Sequence, residues 1–143
     1  MSSTTTSLDT NVLVYLLNED AALNRRALAA INNSRKAGRL VVSGPVYAEL
    51  LGLPTRIQPI LDEFFTVGGI EVDWRFDEAI WRAAGVAYQG YSERRVAHTG
   101  KLPRRILADF LIGAHSLVRG FTLLTTDSGH YAAAFPTLAI MAV

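Results

Sequence analysis

Apolar positions along this chain fall into two spacings. Short apolar runs occur at Leu40–Ser43, Phe121–Thr125 and Leu138–Val143, with a mixed run at Ile70–Trp74. Runs of this length, bounded by turn-forming residues, predict strands. Thr4–Leu8 predicts a first strand, since threonine is β-branched, although the run is unusually polar. Between the strands the apolar residues recur at helical spacing. Val12–Leu17 predicts a short helix. Leu23, Ala27, Ala30 and Ile31 mark a longer one over Ala21–Lys36, ended by Gly38. Pro45 suits a first helical position, where its missing N–H is no loss; the helix it opens carries Val46, Tyr47, Glu49 and Leu50 and stops by Pro54. Ile57, Ile60, Leu61, Phe64 and Phe65 mark the next, closed by Gly68 and Gly69. Ile80, Ala83, Ala84, Ala87 and Tyr91 share one side of a helix from Asp77 to about Tyr91, and Tyr91–Pro103 reads as its end plus a loop. Ile106–Arg119 is a strongly apolar helix ended by Gly120; after a turn at Asp127–His130, Tyr131–Phe135 forms a short last helix.

Strands separated by helices predict an α/β fold with a parallel sheet and helices on both faces. Such strands are expected to be apolar throughout, because both faces are covered. Thr4–Leu8 fits that expectation least. At 143 residues, without repeats or a Pro/Gly-rich linker, the chain reads as one domain over residues 1–143.

Composition narrows the function classes. Half the residues are apolar and only 19% are charged, which argues against disorder and leaves room for an apolar face that meets a partner. There is no cysteine, so disulfides, thiolate metal sites and cysteine nucleophiles are excluded. No apolar run has membrane-spanning length, and "MSSTTTS" lacks the basic and apolar regions of a secretory signal, so a cytoplasmic protein is expected. The net charge of +1 says little in total, but Arg94, Arg95, Lys101, Arg104 and Arg105 lie close together. This block is a candidate phosphate-binding lip; a solvated helix end is the alternative.

Four acids sit where acids are costly. Asp9 follows the first strand and adjoins an apolar run. Asp127 follows the Phe121–Thr125 strand. Glu49 lies on the helix that begins after Leu40–Ser43, and Asp109 lies inside the most apolar helix. In a doubly wound sheet, function gathers at the carboxyl ends of strands where strand order reverses. Buried carboxylates need a cationic or hydrogen-bonding partner. One shared remedy is a hard divalent cation, Mg²⁺ or Mn²⁺, which prefers oxygen ligands. Each acid also has a plainer reading. Asp9 could be a helix cap, Asp127 a turn residue and Glu49 a solvent-facing residue, and Asp109 could pair with Arg104 or Arg105. His115 is expected to be a core or interface residue rather than a ligand. His130, near Asp127, is the better candidate for a substrate contact, although the plain reading is preferred. Trp74 and Trp81 are expected to pack rather than to stack on bases.

The blocks "LDTNVLVYLL", "SGPVYAELL", "ADFLIGAHSL" and "LLTTDSGHY", in this order, resemble PIN domains, most nearly the VapC-type toxins of bacterial toxin–antitoxin pairs. The resemblance runs from Leu8 to the last strand. It implies a metal-dependent endoribonuclease acting on single-stranded or looped RNA. Its acidic quartet maps to Asp9, Glu49, Asp109 and Asp127, with Asp9, Asp109 and Asp127 as the expected ligands of one or two Mg²⁺ or Mn²⁺ ions. Asn11 and Thr125 map to polar positions behind the quartet. The resemblance also implies an antitoxin partner, seated by a helix in an apolar groove, and a homodimer. Two departures stand out: the first strand is polar rather than aliphatic, and the last block lacks a basic residue beside Asp127. The competing reading is a non-catalytic domain of the same fold that binds RNA or protein. A phosphoryl-transfer domain of receiver or haloacid-dehalogenase type is a third, but Asn11 stands where that chemistry wants a second aspartate, and Lys36 and Lys101 are the only lysines.

Overall fold

The computed structural model describes residues 3–17, 19–54, 57–101 and 107–143. Its strands are β1 (Thr6–Leu8), β2 (Leu40–Ser43), β3 (Ile70–Asp73), β4 (Thr122–Thr125) and β5 (Ile140–Ala142). The helices are α1 (Thr10–Leu16), α2 (Ala21–Ala37), α3 (Gly44–Leu51), α4 (Gln58–Gly68), α5 (Glu78–Thr99), α6 (Leu107–Arg119) and α7 (Ser128–Ala134). All pairings are parallel, in the order β3-β2-β1-β4-β5. The sequence order therefore reverses between β1 and β4, which pair as Thr6↔Thr122, Ser7↔Leu123 and Leu8↔Leu124.

Local chemistry sets most boundaries. The Asp20 carboxylate accepts from the N–H groups of Ala22 and Leu23 and opens α2, whose last turn holds Arg35 and Lys36 beside the negative helix end. Asp77 caps α5 through the N–H of Ile80. Proline enters α3 and α4 in the first turn, where no N–H is needed. Gly69 and Gly100 end α4 and α5 in the left-handed conformation, at φ 65° and 67°.

Three expectations change. The helix from Asp77 does not end near Tyr91 but continues to Thr99, so Arg94 and Arg95 stand on a helix rather than in a loop. No proline or glycine lies between Gly90 and Gly100, and Glu93, Arg94 and Arg95 are good helix formers. The last helix begins at Ser128, so Asp127 is its flanking residue, not the start of a separate turn. Finally, strand polarity runs opposite to expectation. The polar β1 is the central strand, with Thr6, Ser7 and Leu8 all buried, whereas apolar β5 is an edge strand on which Met141 is exposed. Small hydroxyl side chains fit between two flanking strands and the helices above and below. Among the described residues the Ser7 hydroxyl has no hydrogen-bond partner, a cost the surrounding sheet carries.

Two glycines fix how the layers meet. A side chain at Gly38 would place Cβ 2.2 Å from the Thr4 carbonyl oxygen, so only glycine lets the end of α2 pass the start of β1. At Gly113 of α6, Cβ would lie 2.3 Å from the Phe135 ring. That contact holds the end of α7 against α6 and so relates the two helices. Gly113→Ala is expected to cost about 1–3 kcal/mol by overpacking, read as a lower midpoint in urea with an unchanged slope. An unaltered midpoint would show that Phe135 moves aside freely.

At the far end of α6, His115 is fully buried and its Nε2 lies 3.1 Å from the Asp73 carboxylate on β3. Burial pushes the imidazole towards its neutral form, with Asp73 opposing. Nε2 therefore carries the proton and donates. Arg119 stands 3.3 Å from the same oxygen, and the Phe76 ring stacks on His115. His115 is a core residue tying α6 to the sheet.

Candidate active site

The reversal between β1 and β4 puts the residues that follow both strands at one edge of the sheet. Asp9 comes directly after Leu8, and its N–H donates to the Leu124 carbonyl at 3.0 Å. Asp9 is 5% exposed. Both carboxylate oxygens are engaged. Oδ1 accepts from the Thr10 N–H at 2.8 Å and from the Tyr131 hydroxyl at 3.3 Å. Oδ2 accepts from the Thr125 hydroxyl at 2.7 Å. Asp9 is thus the cap of α1, as its plainer reading had it, and also the centre of a network that a cap does not require.

The network reaches two more acids. The Thr125 oxygen accepts from the Asp127 N–H at 2.9 Å, which ties the loop after β4 to Asp9. The Thr10 hydroxyl donates to Glu49 Oε1 at 2.6 Å, which ties α3 to the start of α1. Asp109, in the first turn of α6, completes the group: its charge acts on both Asp9 and Tyr131. All four acids identified from sequence therefore border one edge of the sheet. Asn11 is exposed, and the link to Glu49 comes instead from its neighbour Thr10.

Burial pushes the Asp9 carboxyl up to about 6, helped by the negative charge of Asp109; the hydrogen bonds from Thr125, Thr10 and Tyr131 work the other way. Burial also drives the Tyr131 phenol upward, with Asp9, Asp109 and Glu49 adding to it. Tyr131 therefore remains a protonated donor among carboxylates. It was not singled out from the sequence, where it reads as one aromatic residue of an apolar helix.

The donor set suits a hard cation. The groups available are carboxylate and hydroxyl oxygens, and the central carboxylate is desolvated beside a like charge. No three acidic or histidine side chains among the described residues already stand together as a ligand set. Mg²⁺ seldom needs such a cage, since it keeps several waters and uses one or two carboxylates with substrate phosphates.

Basic residues approach along α5. Arg94 is exposed and Arg95 partly buried; Lys101 is exposed beyond the helix, and Arg104 and Arg105 lie outside the described residues. Tyr91, one turn before Arg94 and Arg95, has its ring 5.5 Å from that of Phe110 and 6.4 Å from that of His130. Phe110 follows Asp109 and His130 precedes Tyr131, so this turn of α5 packs on rings that are sequence neighbours of the acidic group. His130 packs among those rings. Trp74 and Trp81 each meet an aromatic neighbour yet remain 63% and 52% exposed, so neither is a core residue.

Comparison with known families finds a match to the PIN domain over residues 7–136. Comparison with curated proteins finds no match. Among solved structures, the chain is similar to one in VapBC2 from Rickettsia felis bound to a promoter DNA fragment, at 21% identity and TM-score 0.62, covering 96% of this chain and 98% of that one. It is similar to one in VapBC-1 from nontypeable Haemophilus influenzae, at 23% identity and TM-score 0.63, covering 96% and 97%. It is also similar to one in a toxin-antitoxin complex from Klebsiella pneumoniae, at 16% identity and TM-score 0.63, covering 89% and 90%. At these identities the likeness is one of fold.

Proposed function

The chain belongs to the PIN domain family, and from that premise we propose that it is a Mg²⁺- or Mn²⁺-dependent endoribonuclease, the toxin of a toxin–antitoxin pair. The observation that carries this reading is the Asp9 network: a buried carboxylate at the strand-order reversal, wired by Thr125 to Asp127 and by Thr10 to Glu49, with Asp109 in electrostatic reach. A purely structural cap would gain nothing from a second and third acid. Neutral replacements would serve the fold better there.

In this reading Asp9, Asp109 and Asp127 hold the metal, and Glu49, steadied by Thr10, orients the attacking water. The bound ion supplies charge to offset the phosphate and lowers the pKa of a bound water. Thr125 keeps Asp9 and the Asp127 backbone in fixed relation. Arg94, Arg95 and Lys101, with Arg104 and Arg105, hold the RNA backbone and leave bases of single-stranded or looped segments free to be read. The partners in toxin–antitoxin complexes of the same fold support an antitoxin for this chain, and a homodimer and a cytoplasmic setting belong to the same proposal. Among the described residues, no helix is long and apolar enough to cross a membrane.

The test is induction of the protein in cells with mapping of new RNA ends, alongside Asp9→Asn. New ends that depend on Asp9 support the reading; RNA binding without cutting favours a non-catalytic domain. The basic residues have their own readout. If both Arg94 and Arg95 meet phosphates, replacing them with alanine should shallow the slope of log affinity against log salt by about 1.4 on single-stranded RNA. An unchanged slope would place both side chains off the RNA path.

A further inference from the structure

Tyr131 is 1% exposed and its ring belongs to the core, with the His130 ring at 5.0 Å. The ring alone would satisfy that packing. A buried hydroxyl costs free energy unless bonded, so phenylalanine would serve the core at least as well. The hydroxyl donates to Asp9 Oδ1 at 3.3 Å. It stands where the fields of Asp9, Asp109 and Glu49 overlap, a neutral donor that stays protonated among them. Its helix is held in place by Phe135, which fills the space left by Gly113 on α6.

A carboxylate oxygen offers two lone-pair sites. Those of Oδ1 are taken by the Thr10 N–H and the Tyr131 hydroxyl, whereas among the described residues Oδ2 accepts from Thr125 alone. The carboxylate is therefore held at three points, with Oδ2 the oxygen that keeps an open site. Without the phenol, Oδ1 would keep only the Thr10 contact, and the group could turn about its Cβ–Cγ bond.

We propose that Tyr131 is a positioning residue that fixes the orientation in which Asp9 offers Oδ2 to a divalent cation. This rests on the nuclease reading above. The role is indirect: the phenol acts on the carboxylate, not on RNA.

The experiment compares the full-length parent with Tyr131→Phe, using Tyr88→Phe as a control that also removes a phenol from an aromatic contact. Mn²⁺ binding is measured by calorimetry without RNA, melting is followed by circular dichroism, and RNA cleavage is titrated with Mn²⁺. Tyr131→Phe is expected to bind Mn²⁺ about tenfold more weakly and to need about tenfold more Mn²⁺ for half-maximal cleavage, as for loss of a group behind a metal ligand. Its rate at saturating Mn²⁺ and its melting temperature should stay near those of the parent, and Tyr88→Phe should match the parent throughout. Parental Mn²⁺ affinity in Tyr131→Phe, in a protein that cuts RNA, would overturn the positioning role and leave the nuclease reading standing. A large loss of melting temperature in Tyr131→Phe would assign the hydroxyl to the fold and also overturn it. A parent that neither binds Mn²⁺ nor cuts RNA would remove the nuclease reading itself.

Discussion

Asp9→Asn is expected to lower RNA cleavage in Mg²⁺ or Mn²⁺ by at least about 100-fold, since groups merely behind a metal ligand are already worth 10–100-fold. The substitution is nearly isosteric. It keeps an oxygen that can accept from Thr125 or from the Thr10 N–H, so the fold should survive. What is lost is the negative charge at the centre of the acidic group. Cleavage within a few-fold of the parent would remove Asp9 from the chemistry, and the network around it would then be only a helix cap. The measurement is a single-turnover cleavage rate at saturating metal, with the circular dichroism spectrum confirming the fold.

The same substitution should stabilise the protein when no metal is present. The Asp9 carboxyl ionises at about 6 in the folded chain against 3.8 unfolded. A carboxyl raised in this way binds its proton more tightly when folded. Its ionised form therefore costs stability, fully above about pH 6 and not at all below about pH 3.8. The gap corresponds to about 3 kcal/mol at neutral pH. Asn carries no charge and escapes that cost, although its amide cannot accept from all three donors, which offsets part of the gain. In metal-free buffer at pH 7.5, Asp9→Asn is expected to melt above the parent by up to about 10 °C. The difference should shrink as pH falls towards 4. Other groups, His115 among them, shift both proteins alike, so the difference isolates Asp9. Mg²⁺ or Mn²⁺ should raise the parent's melting temperature and hardly move the variant's. A variant that melts below the parent at pH 7.5 would mean that the carboxylate's hydrogen bonds outweigh its burial.

The two results together would separate chemistry from architecture. Residues selected for an active site often cost the fold free energy, and Asp9 is the place in this protein where that opposition is sharpest. A residue kept for stability would show loss of both activity and melting temperature. A residue kept for metal chemistry should lose the first and gain the second.

Much of the fold was legible because local rules decide it. Continuous apolar runs at Leu40–Ser43 and Phe121–Thr125 became strands. Pro45, Asp77 and Gly69 set helix ends by capping or by the conformations they allow. The four acids were legible for the opposite reason: each stood where a charge is unwelcome, and an unwelcome charge is visible in one dimension. The residues that support them were not. Thr10 and Tyr131 are ordinary in their segments, and nothing local distinguishes a phenol that reaches Asp9, 122 positions away, from one that merely packs. The extension of α5 to Thr99 was missed because basic residues resemble a loop by charge and a helix by propensity.

The sequence alone determined the alternation of strands and helices, because hydrophobic spacing and capping act over a few residues, and it marked Asp9, Glu49, Asp109 and Asp127 as costly charges. Only the tertiary structure decided that polar β1 is the central strand, since strand order depends on crossovers between distant segments. It alone decided which hydroxyls close around Asp9, because those bonds join the residue after β1 to Thr125 of β4 and Tyr131 of α7, which meet it only after the sheet has formed.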